Sequence, residues 1–203
     1  MANAGDIHNP VTGQRLTYLA TARDTNGEVC RAEGAFPPGG FAGVQHIHPH
    51  QDEHFEVLAG LAAFDVNGQR HVLGAGETID VPAGTRHTFA NGGEDEMRVM
   101  AEFRPGLEST DRFYELYFGF AQQRRVNTKA MPGLLDIATV WPLTSEHAVL
   151  ATPPAWVQHA LFRALAPIAR IANREPPTCE RTPRPRPEGD TDKLEPVAAG
   201  LQS

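Results

Sequence analysis

From about Leu16 to Phe103 the chain consists of short apolar runs broken by Gly, Pro and Asn, the pattern of a small antiparallel sandwich or barrel. In Met97-Arg98-Val99-Met100-Ala101-Glu102-Phe103, positions 97, 99, 101 and 103 share one face of an extended chain, which predicts a half-buried strand. Asn67-Gly68 separates the runs Leu61–Val66 and Gln69–Leu73. A two-residue hairpin turn needs positive φ, which Asn and Gly tolerate, so these runs are expected to pair. Further corners are marked by Pro37-Pro38-Gly39-Gly40, Gly74-Ala75-Gly76, Pro82-Ala83-Gly84 and Asn91-Gly92-Gly93.

After Pro105 the period lengthens. Phe113, Leu116, Tyr117 and Phe120 recur at helical spacing, predicting an amphipathic helix from about Thr110 to Arg124 with Ser109 or Thr110 as N-cap. Its aromatic stripe is expected to pack as core against the strands rather than to form a ligand box. A second helix is predicted to open at Pro153-Pro154 and to bury Val157, Leu161, Leu165 and Ile168, with Pro167 kinking or shortening its end. Residues 131–150 are expected to hold one or two short helices. From Arg174 onward, six Pro and eleven charged residues fall in thirty positions, the composition of a disordered tail. The organisation expected is a barrel over 1–104, a helical segment over 105–173 packed on it, and a tail over 174–203.

Composition narrows the functional classes. A chain of 203 residues with 40% hydrophobic content can bury a core without disulfides or a structural metal, so a metal site here is expected to serve function. The formal charge of -7 argues against nucleic-acid binding, which is built from clustered Lys and Arg. No stretch approaches the ~18 consecutive apolar residues of a membrane span, and Met1 to Asp6 lack a leader pattern, so a soluble, cytoplasmic protein is expected. Cys30 and Cys179 lie too far apart for a metal knuckle and do not suggest a disulfide framework.

Of the six histidines in the strand-rich region, five, His46, His48, His50, His54 and His87, are candidates for a common site. In a strand His46 and His48 project to one face, so two imidazoles can converge on one point. Residues 49–52 read as a turn, after which Glu53 opens a returning strand and brings a carboxylate beside them, while His87 follows the Pro82-Ala83-Gly84 corner. Three neutral nitrogens and one carboxylate suit one divalent first-row ion such as Fe, Mn, Ni, Cu or Zn. His50 and His54 are expected to be exposed. Glu56, a rival carboxylate, is off the facing parity of Glu53, and Asp80, Arg86 and Glu102 are expected in surface ion pairs. Nucleophile-elbow, phosphate-loop and HExxH signatures are absent from the sequence.

The stretch from Gly40 through His46, His48 and Glu53 to Gly60 resembles the first cupin motif, G(X)5HXH(X)3-4E(X)6G, with every fixed position filled. Gly76, Pro82, Gly84, His87 and Asn91 likewise match the second, G(X)5PXG(X)2H(X)3N, after an interval of fifteen residues. The resemblance to the cupin superfamily spans about Gly40 to Asn91 and implies a single antiparallel β-barrel of jelly-roll type. Carried over, it implies His46, His48, Glu53 and His87 as metal ligands, with Glu53 also able to act as general base. It further implies a metal-dependent enzyme, foremost a dioxygenase on a small organic substrate such as a phenol. A non-redox isomerase or polyketide-type cyclase and a ligand-binding cupin without turnover are the alternatives. A homodimer is expected, since the stripe Val157, Leu161, Leu165, Ile168 would be unfavourable in water.

Overall fold

The computed structural model describes residues 5–183. Ten strands come first: β1 (Gly5–His8), β2 (Arg15–Ala20), β3 (Cys30–Phe36), β4 (His46–Ile47), β5 (Asp52–Ala59), β6 (Leu61–Val66), β7 (Gln69–Gly74), β8 (Thr78–Val81), β9 (His87–Asn91) and β10 (Met97–Arg104). They are followed by α1 (Glu108–Gln122), α2 (Leu134–Thr144), β11 (Val149–Leu150), α3 (Ala155–Ile171) and β12 (Arg181–Pro183). The strands form two antiparallel sheets, ordered β12-β1-β2-β3-β10-β5-β8 and β11-β4-β9-β6-β7. The chain is mainly β, a jelly-roll barrel with helices after it.

Local chemistry accounts for the register. Asn67 and Gly68 both adopt positive φ, 52° and 81°, and the hairpin they close pairs Val66 with Gln69 and Leu61 with Gly74. In β10, Met97, Val99 and Phe103 are buried as their alternation requires. Gly60 turns between β5 and β6 at φ 75°, and a Cβ there would meet the Glu96 carbonyl oxygen at 2.8 Å. Between the sheets Phe36, Phe55, Val57, Phe64, Phe89 and Met97 form the main core. Phe64 and Phe89 are stacked with centroids 4.9 Å apart.

The helical segment differs from its expected form in four ways. First, α1 begins at Glu108 with Leu107, which has no side-chain acceptor, at the N-cap position, and Ser109 and Thr110 lie inside the first turn, where the Thr110 hydroxyl donates to Gln51. Second, Phe120 is core as expected, but Phe113 and Tyr117 line a cavity. Third, α3 continues past Pro167 to Ile171, its last turn held by the fully buried Ala169. Its buried face is Gln158, Phe162 and Ala169, with Leu165 half-buried, while Leu161 and Ile168 are 41% and 51% exposed. Fourth, the interval 131–150 holds one helix, as expected, but adds β11, which pairs with β4 in the register Val149↔Ile47, Leu150↔His46.

The expected tail is anchored at its start. Arg125 donates to the Glu175 carbonyl, Gln122 exchanges hydrogen bonds with the Glu180 backbone, and β12 pairs with β1. Gly119 permits this approach, since a Cβ there would meet the Thr178 carbonyl oxygen at 2.8 Å. Residues 184–203 lie outside the described residues. Cys30 and Cys179 are both free thiols, and no described helix is long and apolar enough to cross a membrane.

Candidate metal centre

Three strands deliver the site. β4 and β9 pair through His46↔His87, and β5 places Glu53 opposite Val81 of β8. The Pro82-Ala83-Gly84 corner is tied to the β4–β5 turn twice: Gly84 N–H donates to the His48 carbonyl (2.9 Å) and Ala83 N–H to Asp52 Oδ1 (2.8 Å). The ligating atoms of His46, His48 and His87 lie within 4.8 Å of one another. Glu53 Oε2 lies 2.6 Å from His87 Nε2, and Glu53 Oε1 lies 3.4 Å from His48 Nε2.

Each imidazole is oriented by a backbone carbonyl. Nδ1 of His46 faces Val44 O at 2.9 Å, that of His48 faces His147 O at 2.7 Å, and that of His87 faces Thr85 O at 3.0 Å. A carbonyl only accepts, so Nδ1 carries the proton in each ring and the Nε2 lone pair is turned inward. Burial holds His46 down to about 4 and His48 well below its ordinary range, which keeps both rings in the neutral form a metal requires. Burial raises the Glu53 carboxyl, and for His87 the adjacent Glu53 outweighs a burial that alone would lower it.

Two atoms test the fit of a cation. Glu53 Oε2 and His87 Nε2 are buried and close, yet neither makes a well-aligned hydrogen bond. An orphaned pair of this kind is costly unless a third partner takes both lone pairs. Three inward Nε2 atoms and a carboxylate are the donor set for one divalent first-row ion, so the residues fit the group.

The other sequence candidates separate cleanly. His54 and Glu56 occupy the opposite face of β5 from Glu53, and His54 Nδ1 pairs with Asp80 Oδ1 at 2.7 Å. His50 is exposed. Glu102 pairs with Arg31 and Arg104 at 2.5 and 2.9 Å. Phe41, Phe55 and Phe89 line the cavity beside the histidines, whereas Phe64 belongs to the core.

Residues 33–102 match the family Cupin_2, described as Cupin domain. The matched part of the barrel is a cupin domain. The chain is 38% identical over 84 residues to mannose-1-phosphate guanylyltransferase ManC of Salmonella typhimurium, covering 39% of this chain and 17% of that protein. The probable oxidoreductase virH of Hypocrea virens is 33% identical over 119 residues, covering 55% of this chain and 52% of that protein. Polyketide synthase CurC of Streptomyces cyaneus is 31% identical over 104 residues, covering 51% of this chain and 60% of that protein. The chain thus spans less than two thirds of the length of each of these relatives.

Beyond the cupin domain, the helical segment closes the site. A cavity of about 190 Å³ reaches His46, His48 and Glu53 and is walled by Phe113, Tyr114 and Tyr117 of α1 and Trp141 of α2. His147 also lines it, its ring centroid 4.3 Å from that of His48. Gln51 Oε1 accepts from Thr110 Oγ1 at 3.1 Å and lies 2.9 Å from His147 Nδ1, and all three residues are buried. Sequence reasoning missed Gln51, Thr110 and His147, because a single histidine outside any spaced motif gives no local signal.

Proposed function

We propose that the protein is a metal-dependent, cytoplasmic oxygenase acting on a small phenolic or related substrate. One observation carries the reading: of a cluster of three histidines and the Glu53 carboxylate, His46, His48 and Glu53 line a predominantly apolar, aromatic-walled cavity, with His87 beside Glu53. His46, His48, Glu53 and His87 are the proposed ligands, and the ion they hold would supply redox and Lewis-acid chemistry. The backbone carbonyls of residues 44, 85 and 147 keep the imidazoles in register. The aromatic walls exclude water from the space open to substrate. Glu53 is the group proposed to move a proton at the substrate. Likeness to a protein named as a probable oxidoreductase supports this reading.

Likeness to the polyketide protein CurC supports a second reading, a non-redox cyclase or isomerase of secondary metabolism using the same cavity. Oxygen uptake on phenolic and thiol substrates separates the two. Oxygen consumed in proportion to substrate lost supports the oxygenase, and turnover under argon supports the cyclase. Binding without turnover in either atmosphere would leave a ligand-binding cupin. We also propose a homodimer, because Trp156, Leu161, Ile168 and Ile171 expose an apolar face along α3. Light scattering at twice 22.1 kDa is expected, and a monomer mass would refute it.

A further inference from the structure

The cavity contains a polar group that the cupin motifs do not explain. Gln51 Nε2 donates to the Pro105 carbonyl at 2.7 Å, which turns Oε1 toward Thr110 and His147. Oε1 only accepts, so His147 Nδ1 carries a hydrogen and donates to it. The ring packs among Phe103, Phe113 and Tyr114, with centroids 5.2, 4.9 and 5.8 Å away, an apolar setting that favours the neutral imidazole. Its Nε2 is therefore a bare lone pair on a cavity-lining residue, and it makes no hydrogen bond among the described residues.

Two further groups share that condition. The hydroxyls of Tyr114 and Tyr117 belong to cavity-lining side chains and make no hydrogen bond among the described residues. Phe113 and Tyr117 both line the cavity and stack on each other, with centroids 4.3 Å apart and planes 26° apart. An aromatic lining favours an aromatic guest. An apolar cavity with one acceptor and two hydroxyls in its lining matches a hydroxylated aromatic better than a plain hydrocarbon, which would leave all three polar groups unpaired.

We infer that His147 is a substrate-binding residue whose Nε2 accepts the hydrogen bond of a hydroxyl on a small planar aromatic held in this cavity. The same residue's carbonyl accepts from His48 Nδ1, and β11 begins two residues later beside β4. The backbone that holds a proposed metal ligand thus also fixes the acceptor, and the substrate hydroxyl is delivered beside the metal centre. This rests on reading the cavity as the substrate site and adds the class of substrate and the residue that recognises it.

The test is a fluorescence titration of the full chain with 2-naphthol and with its methyl ether, 2-methoxynaphthalene. The ether keeps the ring and loses the donor. The naphthol is expected to bind about tenfold more tightly, the cost of leaving a buried acceptor unpaired. In His147→Phe the two affinities are expected to converge while metal content stays as in the wild type. Since that variant also removes a bond to Gln51, a second readout uses the unaltered chain: the Nε2 resonance of ¹⁵N-labelled His147 should shift with naphthol and stay fixed with ether. Equal affinities in the wild type, an unmoved resonance, or no binding of either compound would overturn the inference. A protein without oxygen uptake that still prefers the naphthol would sink only the oxygenase reading.

Discussion

The cupin barrel and the helical segment after it position side chains in different ways. In the barrel, position follows from register: His46 faces His87 because β4 pairs with β9, and Glu53 faces inward because β5 alternates. In the helical segment, position follows from contacts remote in sequence. His147 reaches the site through a two-residue strand, β11, and through Gln51 and Thr110, which lie 96 and 37 residues away. The barrel therefore places the candidate ligands, and the later segment shapes what surrounds them. A set of candidate ligands fixed by strand register can thus be given a particular cavity without altering the strands that carry it.

Whether these regions fold as one unit is the broadest way to break the contrast. The second core, Ile137, Trp141, Val149 and Phe162, packs on Ile47 of β4, so a single cooperative transition is expected. Both tryptophans, Trp141 and Trp156, lie in the helical segment. Urea curves followed by tryptophan fluorescence and by far-ultraviolet circular dichroism should coincide, and separated midpoints would show independent units. Phe64→Ala in the barrel and Phe162→Ala in α3, at 1% and 3% exposure, should each cost about 3–5 kcal/mol in the same experiment.

Smaller effects sharpen the comparison. Gly60→Ala should cost about 1–3 kcal/mol, since φ is 75° and the new Cβ would press on the Glu96 carbonyl. A loss below a few tenths would mean that the turn relaxes freely. Thr110→Val should cost about 1–2 kcal/mol by removing the hydroxyl from Gln51 and His147. It should leave metal content unchanged, because no proposed ligand touches Thr110. The smallest effect concerns Asp111, whose carboxyl burial raises from 3.8 to about 6 while it accepts from Ala22 N–H. The folded chain holds that proton more tightly than the unfolded chain, so this contribution is full below about pH 4 and is lost as pH rises through about 6. Asp111→Asn should therefore gain stability relative to the wild type across that interval, and a pH-independent difference would contradict the assignment.

The barrel was legible because its signals are local. Asn67-Gly68 demands a particular turn, and the spacings of His46, His48, Glu53 and His87 translate directly into facing positions on paired strands. The later segment was less legible because helical periodicity names a face without naming its partner. In α3 two apolar faces compete. Phe162 and Ala169 bury against α2 and β11, leaving Leu161 and Ile168 of the expected stripe in solvent. The aromatic residues of α1 read as core by the same ambiguity, since a cavity wall and a core have one composition. His147 carries no spacing signal, and its importance appears only when β11 pairs with β4.

The central claim, that the barrel alone holds the ion while the helical segment shapes its surroundings, is tested most directly by elemental analysis. Protein purified without a polyhistidine tag should contain close to one divalent first-row metal per chain. His48→Ala and His87→Ala should each lose most of it while remaining folded, and His147→Phe should retain it. Unaltered metal in both ligand variants, or loss of metal in His147→Phe alone, would contradict the account.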